Sequence, residues 1–226
     1  MRFLLLGRGK TGSLVEEVAR ERGHKVRVLR SQDNPGGKAL SREALQDEDV
    51  VIDFTNPESA LYNMEACAKA GKNIVVGTTG WYQETPRIKT LAADNNIGLL
   101  YGGNFSIGVN IFFEAAQTIA AALQHRYSGQ IFERHHAHKK DAPSGTALVL
   151  RNILRDASGT ELEITSFREG DVVGLHELAL DSAVDRIYLC HDAKSRRGFA
   201  EGAVRGAEWL VGKKGFYDFK DVWRDL

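Results

Sequence analysis

The chain has 226 residues, with 30 Lys+Arg against 30 Asp+Glu, 42% hydrophobic and 27% charged residues. That is the balance of a folded protein with a real core rather than of a disordered tail, and its length fits one large or two small domains. Zero formal net charge argues against nucleic acid as a main partner, which calls for a clustered excess of Lys and Arg to neutralise phosphates. No apolar run approaches the ~20 residues needed to cross a bilayer. The opening MRFLLLGRGKTG carries too short an apolar run for a signal peptide, so no membrane partner and a cytoplasmic location are expected. Cys67 and Cys190 lie far apart without CxxC spacing and are expected as two buried free thiols.

In chain order, Phe3–Leu6, a second strand ending Val28–Leu29, Val50–Phe54, Asn73–Val76 and Gly98–Tyr101 read as short apolar strands. Their continuous rather than alternating apolar character predicts a parallel sheet covered on both faces. The intervening Thr11–Arg22, Pro57–Ala70 and Thr85–Asp94 carry apolar residues at helical spacing, completing a βαβ rhythm. Asn56 is a natural N-cap before Pro57, and Gly71 a natural C-cap. Beyond residue 105 the design changes. Val109–Leu123 reads as a helix, Gln130–Glu133 as a strand and Ser144–Arg155 as a helix; Glu161–Phe167, Val172–Leu180 and Arg186–His191 read as strands of a mixed or antiparallel sheet. Helices at Ala200–Val211 and around Phe219–Arg224 close the chain.

Gly7, Gly9 and Gly12 spell GxGxxG directly after the first strand and at the start of the first helix. In that context the glycines permit a tight turn and close approach of a pyrophosphate to backbone N–H groups at the positive end of a helix. The second strand ends Leu29-Arg30-Ser31, with no carboxylate there to take the ribose hydroxyls of NAD. Arg30 instead suits a 2′-phosphate, so NADPH is expected to be preferred over NADH. Two more small-residue loops, Gly77–Gly80 and Gly102–Asn110, follow the fourth and fifth strands, at the sheet edge where such folds bind ligands.

Glu133 to Thr146 reads ERHHAHKKDAPSGT. Ser144 is placed to cap a helix, and the N–H groups of Gly145 and Thr146 then point out of its first turn, where they can hold a carboxylate. Lys139 and the histidines add cationic and proton-transferring groups. A metal site using His136 and His138 on one strand face, with Glu133 or Asp141, is a rival, but the adjacent lysines repel a cation, and no metal is expected. A solvated basic loop and a phosphate contact compete with it for the same residues.

VVIDFTNPE (Val50–Glu58), GTTG (Gly77–Gly80), NFSIGVN (Asn104–Asn110), HHAHKKDAPSGTA (His135–Ala147), SRRGFAEGAVRGAEWL (Ser195–Leu210) and GFYDFKDV (Gly215–Val222) together resemble the 4-hydroxy-tetrahydrodipicolinate reductase (dihydrodipicolinate reductase) family across nearly the whole chain. The resemblance implies a Rossmann-like, doubly wound domain over 1–105, completed by 197–226. It also implies a second α/β domain over 106–196 that binds substrate and builds a homotetramer. The implied reaction is NAD(P)H-dependent reduction of a small cyclic dicarboxylate, 4-hydroxy-tetrahydrodipicolinate, to tetrahydrodipicolinate with loss of water, in lysine and diaminopimelate biosynthesis. By match to the family motif, His135 and Lys139 look like the proton-transferring residues. His136, Gly145 and Thr146 look like carboxylate contacts, and Arg196 like a basic residue near an interdomain hinge. Gly7, Arg8, Gly9, Lys10, Thr11, Gly12, Arg30, Gly77, Thr78, Thr79, Gly102, Gly103, Asn104 and Phe105 are the expected cofactor contacts. Two rival readings stay open: a related nicotinamide-dependent reductase for another small acid, and a dinucleotide sensor without turnover.

Overall fold

The computed structural model describes all 226 residues and divides into two units, Met1–Ser106 with Arg197–Leu226, and Ile107–Arg196. The first begins with β1 (Arg2–Leu6), α1 (Lys10–Glu21), β2 (Lys25–Leu29), α2 (Arg42–Leu45), β3 (Val50–Asp53), α3 (Pro57–Ala70), β4 (Ile74–Val76), α4 (Thr85–Asp94) and β5 (Gly98–Tyr101). The second unit then runs α5 (Ile107–Ile119), β6 (Ser128–His135), α6 (Gly145–Ser158), β7 (Ile164–Arg168), β8 (Leu175–Asp181) and β9 (Arg186–Asp192). With α7 (Arg197–Leu210), β10 (Gly215–Asp218) and α8 (Phe219–Val222) the chain returns to the first unit.

In the first unit the sheet order is β10-β5-β4-β3-β1-β2 and every neighbouring pair is parallel. Leu4, Leu6, Val51, Ile74 and Val76 bury one face against Ala60, Met64 and Ile88 of α3 and α4. On the opposite face Leu100 meets α7, where a Cβ added to Gly206 would lie 2.7 Å from Leu100 Cδ2. Both faces are covered, which is why these strands read as unbroken apolar runs. Helix α3 is set by local chemistry: Asn56 Oδ1 accepts the Ser59 N–H at 3.0 Å, and Gly71 ends the helix with φ +71°.

One strand escaped the sequence. β10 extends the sheet beyond β5, so the C-terminal segment contributes a strand as well as helices. Buried Asn73 anchors that segment: its Nδ2 donates to the carbonyls of Leu210 (2.8 Å) and Lys213 (3.0 Å), and its Oδ1 accepts the Gly98 N–H at 2.8 Å.

The second unit holds a mixed sheet ordered β7-β6-β8-β9, with β6 parallel to β7 and antiparallel to β8, and β8 antiparallel to β9. Inward residues Ile131, Leu178 and Leu180 pack against Phe112 and Ala116 of α5 and against Ala147, Leu150 and Leu154 of α6. The three- and four-residue spacing in α6 is what lays that stripe on the sheet. The outward face of this sheet carries Phe132, Phe167 and Tyr188 around an open cavity of about 530 Å³.

Three expectations need correcting. Strand alternation in β9 turns Cys190 outward, so only Cys67 is a buried thiol. The helix expected at Val109–Leu123 starts at Ile107 and gives way to a tighter turn over Ala120–His125. The strand expected at Gln130–Glu133 runs on to His135 and stops there, so His136 and His138 lie in the following loop and share no strand face.

Candidate functional site

Two sets of residues carry chemistry, one in each unit. In the first, the carboxyl ends of β1, β3 and β4 frame a cavity of about 410 Å³ lined by Gly9, Lys10, Thr11, Gly12, Phe54, Thr55, Asn56, Pro57, Gly77, Thr78 and Thr79. It sits where the strand order reverses, β2 lying to one side of β1 and β3 to the other, the position at which such sheets bind ligands.

The glycines are there for space. Gly7 has φ +88°, and a Cβ on it would come within 2.3 Å of the Phe54 carbonyl oxygen; a Cβ on Gly12 would meet the Gly7 oxygen at 2.5 Å. Gly9, the N-cap of α1, offers no side-chain cap, and a Cβ there would meet nothing within 4 Å. The first-turn N–H groups of a twelve-residue helix are thus presented, uncapped, beside the cavity. This cradle fits the pyrophosphate of a dinucleotide.

Asp53, wholly buried at the end of β3, organises the floor. Its Oδ1 accepts from Thr55 N (3.0 Å), Thr55 Oγ1 (2.8 Å) and Thr78 Oγ1 (2.7 Å), and its Oδ2 from Asn63 Nδ2 (2.7 Å). Burial pushes the carboxyl pKa up against the pull of these donors. Asn63 in turn accepts from Asn34 at 2.8 Å, tying the floor to the loop after β2. Neither Asp53 nor Phe54 to Pro57 was singled out as cofactor-contacting from the sequence, although they end a strand of the same sheet edge. Of the expected contacts, Gly7, Arg8, Arg30, Gly102, Gly103, Asn104 and Phe105 do not line this cavity. Arg8 pairs with Glu16 at 3.3 Å, Arg30 is exposed at the end of β2, and Phe105 is buried against Phe219 with ring centroids 4.6 Å apart.

In the second unit, β6 delivers Glu133 and His135 to the buried face of the sheet. His135 Nδ1 lies 2.5 Å from Glu133 Oε2, and Arg168 of β7 donates to both Glu133 oxygens, at 2.9 and 2.7 Å. Burial raises the Glu133 pKa, but the donors, led by Arg168, overcome it and hold the group at about 2. His135 is pushed below the ordinary histidine value by burial, with Glu133 pulling the other way. His176 of β8 stands edge-on to His135, 5.1 Å between centroids, and burial depresses it to about 3.

The loop after β6 is pinned from below. Arg168 Nη2 donates to the Asp141 carbonyl at 2.7 Å, and the Ser144 N–H donates to Glu133 Oε1 at 3.2 Å. Lys139, partly exposed, pairs with Asp141 at 2.8 Å. Ser144 Oγ caps α6 by accepting the Ala147 N–H at 3.2 Å and also meets His176 Nε2 at 3.0 Å. A Cβ on Gly145 would meet nothing within 4 Å, so the start of α6 is uncrowded. Thr146 in the first turn of α6, and His136 and Lys139 in the loop before it, are half-buried; His138 is exposed, its ring 6.4 Å from that of His136. Arg196 is the last residue of the unit.

Glu133, His135 and His176 bring potential ligand atoms within 4.8 Å of one another. Arg168 already occupies both carboxylate oxygens, however, and a guanidinium in that place does for the carboxylate what a cation would. The cluster is a hydrogen-bonded network.

The family model described as Dihydrodipicolinate reductase, N-terminus, matches residues 1–105, and that described as Dihydrodipicolinate reductase, C-terminus, matches residues 108–223. The chain belongs to the dihydrodipicolinate reductase family. Its relatives include the 4-hydroxy-tetrahydrodipicolinate reductase of Christiangramia forsetii, 38% identical over 240 aligned positions that cover 100% of this chain and 99% of the relative. The enzyme of that name from Chromobacterium violaceum is 39% identical over 200, covering 79% and 74%. Among solved structures, dipicolinate-bound dihydrodipicolinate reductase from Paenisporosarcina sp. TG-14 shares the fold with a TM-score of 0.80, at 21% identity over 98% of this chain and 99% of that one. As a member of this family the chain is an oxidoreductase.

Proposed function

We propose that this oxidoreductase reduces 4-hydroxy-tetrahydrodipicolinate to tetrahydrodipicolinate with loss of water, using NAD(P)H, in lysine and diaminopimelate biosynthesis. The observation that carries the reading is the second unit's constellation: a histidine and an uncrowded helix start joined to one buried carboxylate, with Lys139 on the loop between them, in a chain matched end to end by the family. When bound, the reduced nicotinamide supplies a hydride to the ring. The chain's own part is to hold the dicarboxylate and manage protons. The N–H groups at Gly145 and Thr146, with His136, take a substrate carboxylate at the positive end of α6. His135 and Lys139 hold and deliver the proton that the reduced ring must receive, a contribution of about 10²- to 10⁴-fold for a positioned acid. Arg196 helps close the site over substrate.

In the first unit, Gly7 to Gly12 and Gly77 to Thr79 receive the dinucleotide, joined by Gly102 to Phe105. NADPH is preferred, since β2 ends without a carboxylate and Arg30 stands in its place. The protein works in the cytoplasm, in keeping with its two free thiols, and assembles as a homotetramer. The outward face of the second unit's sheet, where Phe167 and Tyr188 are exposed, supports that assembly.

The test follows NADPH absorbance with substrate made in situ from pyruvate and aspartate semialdehyde by a separate synthase. Oxidation should require the synthase, and Lys139→Ala should lower turnover at least about 10²-fold while NADPH binding is kept. NADPH binding without oxidation in the unaltered protein would overturn the reading.

A further inference from the structure

Strand register brings four side chains into one buried cluster. His135 of β6 is paired with Arg168 of β7, and Glu133 is paired with His176 of β8. Glu133 and His135, two residues apart on a strand, face the same side. The carboxylate between them is completely used: Arg168 grips both oxygens, His135 Nδ1 takes one and the Ser144 N–H the other. A bidentate guanidinium fixes the plane of a carboxylate as well as balancing its charge.

The consequence falls on the far side of the imidazole. With Nδ1 committed to an acceptor, the neutral ring carries its proton there, and Nε2 is left with the lone pair. Nε2 has no protein partner, and what lies beside it is Gly174: a Cβ there would come within 3.0 Å of Nε2 and 3.4 Å of Cδ2. Glycine at 174 leaves room at that edge of the ring, which a larger residue would crowd.

We propose that Glu133 and Arg168 are a positioning pair for His135: Glu133 accepts the Nδ1–H and so assigns proton exchange to Nε2, while Arg168 holds the carboxylate in place and offsets its charge. This rests on the reading of His135 as a proton-transferring residue. Neither member of the pair needs to touch substrate. The groups facing the His135 ring are Glu133 on its own strand, Arg168 from β7, His176 from β8 and Lys139 from the loop that follows β6. Glu133 favours the charged ring, Arg168 and Lys139 oppose it, and His176 stays neutral with a pKa of about 3.

The two halves of the pair therefore pull the His135 titration in opposite directions, while the ring's tautomer and the split between kcat and KM separate positioning from a merely structural ion pair. Glu133→Gln removes the acceptor's charge and should move the His135 titration to lower pH. Arg168→Gln leaves that charge unopposed and should move it to higher pH. Both should lower kcat, Glu133→Gln by about 10²-fold, with the KM for NADPH unchanged because the cofactor cradle lies in the other unit. Histidine ¹⁵N NMR on the unaltered protein, with the His135 signal assigned by its loss in His135→Gln, should show the Nδ1–H tautomer; this needs neither variant to fold. An Nε2–H tautomer in the unaltered protein, or titrations that stay put or move the same way in both variants, would overturn the pair's role. Absent turnover in the unaltered protein would instead overturn the function reading, and the tautomer reports separately from it.

Discussion

Single residues carry the predictions on cofactor choice and acid stability. Arg30 is exposed and outside every ion pair of the structure, so Arg30→Ala should raise the Michaelis constant for NADPH and leave that for NADH nearly unchanged; steady-state kinetics with both cofactors check this, and equal effects on the two would remove Arg30 from the discrimination. The second prediction concerns pH. His176 titrates at about 3 in the fold against 6.5 for a free histidine, so between those values the unfolded chain binds a proton that the folded chain refuses. Stability must then fall as pH drops below 6.5, with a slope approaching about 1.4 kcal/mol per pH unit for one proton. Glu133, at about 2 against 4.5, adds stability that is fully present above pH 4.5 and lost as pH falls toward 2. Denaturant titrations across this range should show the loss beginning near neutrality, and His176→Gln should flatten the curve between about pH 6 and 4.

At the scale of elements, Ser144 joins helix and network. Ser144→Ala removes the cap of α6 and the contact to His176, and should cost about 1 kcal/mol, read as a fall in Tm of about 2–4 °C for a protein of this size; Ser144→Thr should restore most of it. Elements built from neighbouring chemistry were legible in the sequence. Helix α3 keeps the expected Pro57–Ala70 bounds because Asn56, Pro57 and Gly71 settle both its ends locally. Strand β10 was not legible, since its partner β5 is remote in the chain and Lys213-Lys214-Gly215 punctuates like a loop. The site shows the same division. GxGxxG and the Ser144 cap announce themselves within a few residues. Arg168 and His176 reach Glu133 only through strand register, and ending β6 at Glu133 hid the two-residue alternation that puts Glu133 and His135 on one face.

For the molecule as a whole, the uncovered sheet face of the second unit is the feature with the largest reach. Phe167 stands outward under the Arg134 guanidinium, 5.3 Å from its ring centroid, with Tyr188 also exposed on this face. If the proposed homotetramer uses this face, Phe167→Lys should shift the sedimenting mass toward smaller species in analytical ultracentrifugation, with far-UV circular dichroism unchanged; an unaltered mass would remove this face from the proposal. Ile107–Arg196 is continuous in the chain, whereas the cofactor-cradling unit is interrupted by it and is completed by Arg197–Leu226, which brings the helix that closes one sheet face and the strand that borders β5. A chain broken off before Gly215 would still contain every glycine of the cofactor loop and yet lack a finished sheet beneath it. The sheet beneath the glycine loop is thus completed by residues that follow the whole of the second unit in sequence.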